Sequence, residues 1–290
     1  MTLNNSVKRK LEEFMNSYVV DSVPISGGSI SNAYRISFTD NKTYLLKIND
    51  TAKEDMFIKE GHGLEELKKA EAIRVPDMIY CGSDFILLEF INSAPKQKTF
   101  FEDFGRNFAI LHKNTSNEFG FYENNYIGST PQINLPDNDS RHNWINFYFN
   151  NRLLFQYRLL EKNRYADATL RDAFYNLEKK IDSVITDLVA PPSLLHGDLW
   201  SGNYISDENG NACLIDPAVY YGHREADIAM TKLFGGFPES FYNSYNETLP
   251  LLDGWQYREN IYKLYHVMNH LNLFGGGYYA QTLTLMKSYS

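Results

Sequence analysis

His196-Gly197-Asp198-Leu199-Trp200-Ser201-Gly202-Asn203 is the stretch on which the fold reading turns, and Asp216 lies thirteen residues beyond Asn203. An Asp and an Asn five residues apart, with a second Asp at a strand end across a hairpin, can supply a proton acceptor and two oxygen ligands for hard Mg²⁺. Phosphoryl transfer asks for little more from a protein than this and positive charge on the phosphates. Each residue alone is better explained by turn chemistry, because Asn and Asp bond to their own backbone in tight turns. A His-x-Asp metal pair for hydrolysis is a third reading. It needs further ligands nearby, and the region offers only His223.

The upstream half favours phosphoryl transfer. Two strand-like runs, Val19–Pro24 and Ala33–Phe38, flank Gly27-Gly28-Ser29, a turn that can lay backbone N–H groups against phosphates. Nineteen residues beyond Gly28, Lys47 sits on the strand Thr43–Ile48. There Leu45 and Lys47 share one face, and Tyr44, Leu46 and Ile48 the other. Glu60 falls on the apolar stripe of Met56, Leu64 and Leu67 in a helix predicted over Glu54–Ala70. A buried Lys and a buried Glu are each costly alone, so together they predict a pair. Gly61 and Gly63 each weaken that helix by about 1 kcal/mol relative to Ala, which predicts a loosened Lys47–Glu60 geometry.

Gly-rich loop, strand Lys and helix Glu together form the ATP-phosphate apparatus of the protein-kinase-like fold. The expected class is therefore α+β and bilobal, with a small β-rich N-lobe over residues 1–91 and a larger, mainly helical C-lobe over 92–290. In such a fold the apolar run ending in Glu89-Phe90-Ile91 is the hinge whose backbone meets adenine. The plainer reading of Glu89 is an exposed carboxylate at a strand end. Beyond residue 92 the pattern predicts helices over Phe100–Lys113, His142–Glu161 and Asp167–Val189, a long loop over 120–141, and a hairpin turning at Asp207–Asn211.

Composition narrows the partners. With 28 Lys+Arg against 36 Asp+Glu the formal charge is −8, which argues against a general nucleic-acid binder. The two cysteines, Cys81 and Cys213, lack ligand spacing and fit a reducing cytoplasm. No signal peptide or membrane span is expected, since charged residues interrupt every apolar run. No coiled-coil pattern is present, and a monomer is expected.

The chain also resembles one family. His196–Asn203, Asp216-Pro217-Ala218, Tyr221-Gly222-His223, Phe234-Gly235-Gly236-Phe237 and Asn269-His270-Leu271-Asn272 are similar to the fructosamine (ketosamine) kinases, as are Asn125–Gly128 with Gln132, Asn134 and Trp144. HGD-x4-N alone is shared with aminoglycoside, choline and homoserine kinases; Trp200 with the central and C-terminal segments narrows it. The resemblance implies ATP-dependent phosphorylation of the O3 hydroxyl of a ketoamine, free or protein-linked, and a role in deglycation. By position it implies Asp198 as proton acceptor, Asn203 and Asp216 as Mg²⁺ ligands, and Lys47 with Glu60 at the phosphates. Glu89, Phe90 and Ile91 would hold adenine, and Gly27, Gly28, Ser29 and Ser31 would cover the phosphates. Two rivals stand beside it: a related kinase for an aminoglycoside or choline-type acceptor, and a nucleotide-binding pseudoenzyme.

Several further residues carry two readings each. Trp200 could stack on the sugar or pack under the catalytic loop. His266 and His270, at i and i+4 with Asn269 between, suit substrate hydrogen bonds or satisfied core positions better than a metal. Asp227 is expected to cap a helix or brace the loop. His112, at the end of an apolar helix, is explained by the helix dipole.

Overall fold

Helix α1 (Asn5–Met15) begins where Asn4 accepts a hydrogen bond from Ser6 N at 2.9 Å and ends where Asn16 turns left-handed at φ 47°. A computed structural model describes residues 3–25, 31–49, 53, 55–185 and 190–289. Strands β1 (Val19–Ile25), β2 (Asn32–Phe38) and β3 (Thr43–Ile48) follow, then helix α2 (Met56–Lys69) and strands β4 (Met78–Cys81) and β5 (Phe85–Glu89). The five strands form one antiparallel sheet in the order β1-β2-β3-β5-β4. Alternation puts Leu46 and Ile48 of the central strand into a core with Tyr34, Ile36, Phe38, Phe85 and Leu87, closed by Val7 and Leu11 of α1. Lys47 emerges on the opposite face, paired in register with Ala33 and Ile86.

The chain then turns helical with α3 (Phe100–Leu111). The expected loop over 120–141 instead contains a hairpin, β6 (Asn125–Ile127) and β7 (Thr130–Gln132). Its Asn and Gln residues are buried, which loop-like composition does not reveal. The helix expected over His142–Glu161 is observed as α4 (Trp144–Tyr148), a π-helical stretch (Phe149–Leu154) and α5 (Phe155–Lys162). The next is α6 (Ala168–Glu178) and a short α7 (Ile181–Val184), with residues 186–189 of the expected helix outside the described residues.

Strand β8 (Ser193–Leu195) leads into the loop quoted first, and β9 (Tyr204–Ser206) and β10 (Ala212–Leu214) form the hairpin before Asp216. Strand β11 (Tyr220–Gly222) pairs antiparallel with β8. Helices α8 (Glu225–Thr231), α9 (Glu239–Thr248), α10 (Trp255–Phe274) and α11 (Tyr279–Lys287) complete the chain. Through its middle α10 buries Ile261, Tyr262, Leu264, Tyr265, Val267 and Met268, as expected of a central helix apolar on most sides. Two compact units result: Met1–Phe100 with Tyr204–Pro217, and Phe101–Asn203 with Ala218–Ser290. No helix among the described residues is long and apolar enough to cross a membrane.

Candidate active site

In the first unit the lysine on β3 finds two anions. Lys47 Nζ donates to Glu60 Oε1 of α2 at 2.6 Å and also to Asp216 Oδ1. Burial works against the ammonium, but these two carboxylates outweigh it and hold its pKa above the ordinary lysine range. Burial, with the Asp216 charge, pushes Glu60 upward. The expected loosening by glycine does not occur. A Cβ on Gly61 would stand 2.4 Å from Met78 Sδ and 3.3 Å from Cys81 Cβ, so the bare backbone lets α2 close onto β4. The Asp216 backbone is left-handed at φ 55°, uncommon for a residue with a side chain and frequent at functional sites. Ser31 lies just before β2, whereas Gly27, Gly28 and Ser29 lie outside the described residues.

At the end of β5, Glu89 is tied down. Its Oε1 accepts from Arg74 Nη2 at 2.6 Å, and its Oε2 from Asp77 N at 3.2 Å. The side chain is thereby committed within the protein, and the Glu89 N–H donates to Asp77 O at 2.8 Å. Ile91 is buried at 8% exposure.

In the second unit the loop after β8 is held by one carboxylate. Asp227 accepts from His196 N at 2.7 Å and from Gly197 N at 2.9 Å, which makes it a brace for the loop. Burial opposes its charge, yet the His112 and backbone hydrogen bonds keep its pKa low. Behind it His112 Nε2 lies 3.3 Å from Asp227 Oδ2, with Nδ1 2.7 Å from the Tyr245 hydroxyl. Burial lowers the pKa of His112, so the expected dipole role is replaced by hydrogen bonds of a neutral ring. Gly197 sits at φ 82°, and a Cβ there would fall 2.0 Å from Ala218 O.

Asn203 Nδ2 donates to Asp198 O at 2.7 Å and to Asp198 Oδ2 at 3.1 Å. This orients the carboxylate and turns the amide oxygen of Asn203 away from it. Trp200 packs edge-on against Phe234 at 5.7 Å, and Phe234 meets the His270 ring at 4.9 Å. His266 Nδ1 is buried without a hydrogen-bond partner among the described residues, 3.8 Å from Asp198 Oδ1. Burial lowers its pKa to about 3, so this is no ion pair. Asn269 spends its amide inside the unit, accepting from Gln156 Nε2 at 3.2 Å and donating to Ile127 O at 3.4 Å.

A model of the fructosamine kinase family matches residues 3–290. The chain belongs to the fructosamine kinase family. It is accordingly a kinase with ATP as phosphoryl donor, built on the protein-kinase-like fold. A protein-ribulosamine 3-kinase of Arabidopsis thaliana, a chloroplastic protein, is 38% identical over 272 residues, covering 91% of this chain and 81% of its own. The crystal structure of a candidate fructosamine-3-kinase from Thermobifida fusca superposes with TM-score 0.88 at 28% identity, over 99% of both chains. An aminoglycoside phosphotransferase at 13% identity, with TM-score 0.62 over 97% of each chain, shares the fold alone.

The family's central segment has a structural role that its sequence conceals. Asn125 Nδ2 donates to Val219 O at 2.8 Å, and Gln132 Nε2 to Ala218 O at 2.9 Å. Asn134 Nδ2 donates to Asn125 Oδ1 at 2.8 Å, and Asn134 Oδ1 accepts from Arg152 Nη2 at 2.7 Å. These amides fix the backbone just after Pro217, which is bonded through Ala218 N to His196 O at 2.8 Å. Sequence reading missed Arg152 altogether. It is fully buried in the π-helical stretch, its guanidinium 4.1 Å from the centre of the Tyr220 ring. The available signal was an arginine in an apolar helical register.

Proposed function

We propose that this kinase transfers the γ-phosphoryl group of ATP to the O3 hydroxyl of a ketoamine, with ribulosamines as first substrate and protein-linked or free amines both admitted. The observation that carries this reading is Lys47 held between Glu60 and Asp216 in a chain of this family. Asp198, oriented by Asn203, takes the O3 proton as O3 attacks the γ-phosphorus and ADP leaves. Lys47 supplies positive charge to the phosphates, Ser31 and the glycine turn cover them, and backbone at Glu89, Phe90 and Ile91 holds adenine. Trp200, His266 and His270 line the acceptor side, and Asn269 shapes it from beneath.

Asn203 and Asp216 would hold Mg²⁺. Both offer hard oxygen donors, and Asn203 directs its nitrogen to Asp198, which leaves the oxygen for a cation. When bound, Mg²⁺ neutralises phosphate charge. Both cysteines are unpaired, which supports a reducing cytoplasm, and the net charge of −8 supports a small or protein-linked substrate over nucleic acid. We also propose that the nucleotide-binding part ends near residue 91 and that the protein works as a monomer.

The test is ATP consumption with Mg²⁺ on ribulose-lysine, fructose-lysine, choline and an aminoglycoside, with phosphorus NMR of the product. Asp198→Asn is expected to lower turnover by about 10²–10⁴-fold with ADP affinity preserved. Wild-type turnover in that variant, or phosphate on any hydroxyl but O3, would sink the assignment.

A further inference from the structure

Arg74 sits at a junction within the first unit. Its backbone oxygen accepts from Leu214 N at 2.9 Å, two residues before Asp216, and a parallel bridge joins it to Cys213. Its guanidinium reaches in two further directions. Nη2 donates to Glu89 Oε1 at 2.6 Å, whereas Nη1 donates to both oxygens of Glu208 at 2.7 Å and lies 3.3 Å from Asp207 Oδ2. One residue thus grips the end of β5, the turn of the β9–β10 hairpin and the hairpin's exit strand.

The turn it holds is itself well defined. Asp207 Oδ1 accepts from Asn209 N and Asn211 N, each at 2.9 Å. The segment after β5 is laced to the same turn, with Ala94 N donating to Asp207 O at 3.1 Å and Gln97 Nε2 to Asn209 O at 2.6 Å. Three carboxylates face a single guanidinium here. Without it, Glu89, Asp207 and Glu208 would repel one another across the gap that separates β5 from the hairpin. A lysine would restore one charge but not the fork that reaches two groups at once.

We propose that Arg74 is a positioning residue for Mg·ATP, locking the strand end that meets adenine and the hairpin that carries Asp216 into one frame. The proposal rests on the roles given above to Glu89–Ile91 and Asp216. It extends them in one respect: the benefit that Mg²⁺ brings to nucleotide binding depends on a residue that touches neither metal nor nucleotide.

The experiment is calorimetric titration of the full chain with ADP, with and without Mg²⁺, and a thermal melt of each unliganded variant. Arg74→Ala is expected to cut the Mg²⁺-dependent gain in ADP affinity by about tenfold. Metal-free ADP binding should change by less than about threefold, Arg74→Lys should recover part of the gain, and Glu208→Gln, at an exposed turn, should lose a smaller part. An Arg74→Ala protein that melts lower but keeps the full gain would overturn the proposal, as would equal losses with and without the metal. Should Arg74→Ala fail to fold, Arg74→Lys and Glu208→Gln carry the same comparison. Asp216→Ala separates the two levels. If it abolishes the gain and Arg74→Ala does not, only the proposal fails; if Asp216→Ala retains the gain, the metal role of Asp216 fails with it.

Discussion

At the scale of single residues, the chemistry depends on backbone that tolerates no side chain. Gly197, between His196 and Asp198, combines φ 82° with a position where a Cβ would meet Ala218 O at 2.0 Å. The obstacle is backbone that is itself bonded to His196, so it cannot swing aside. Gly197→Ala is therefore expected to lower stability by more than about 2 kcal/mol and to lower kcat with it, since relief of the clash moves Asp198. Urea unfolding with parallel kinetics checks this, and an unaltered midpoint would refute it. Lys47 and Glu60 were legible as a pair because a charge on an apolar stripe demands a counter-charge. That Asp216 shares the same ammonium was not legible, because 169 residues of chain separate the two partners.

Elements show a different balance. The N-terminal sheet was readable because its strands are short apolar runs bounded by turn residues, and the period-two alternation of Thr43–Ile48 separated the face of Lys47 from that of Leu46 and Ile48. The helical part was read less well, since a π-helical turn and a buried polar lattice leave the apolar periodicity nearly intact. Arg152 joins that lattice to the aromatic layer of Phe147, Tyr220 and Tyr265. Arg152→Met keeps the volume but strands Asn134 Oδ1 and Ile133 O, which accept from it at 2.7 and 2.5 Å. The expected loss is about 2–4 kcal/mol in equilibrium unfolding. A loss below about 1 kcal/mol would mean that the lattice reorganises around the gap.

Over the whole molecule, four histidines of the helical unit are held neutral by burial. His223 and His266 are pushed down to about 3, and His112 and His270 lie below the ordinary value of 6.5. Their folded pKa values lie below the unfolded ones, so the unfolded chain binds protons that the native state refuses. Stability is therefore full above about pH 6.5 and falls as the pH drops towards 3, by about 1.4 kcal/mol per pH unit for each fully depressed ring. Between pH 7 and 5 this slope precedes carboxylate protonation. His223 has neither ring nitrogen hydrogen-bonded among the described residues, so His223→Phe removes an acid-sensitive group without breaking a bond. Its melting temperature is expected to depend less on pH across that window, and an unchanged slope would show that His223 is not held neutral.

What the sequence by itself determined is local: the alternation of the sheet strands, the turn chemistry around Asp198 and Asn203, and the need of buried Lys47 for a carboxylate. Those follow from backbone sterics and from the cost of burying charge, which act over a few residues wherever the chain runs. Tertiary structure alone decided the partners. It placed Asp227 under the His196–Gly197 backbone, turned the Asn125–Asn134 segment from an expected loop into a buried amide lattice, and brought Arg74 to Glu89, Asp207 and Glu208. Each depends on hydrogen-bonding groups meeting across long stretches of chain, and such meetings leave no period or motif in the sequence to be read.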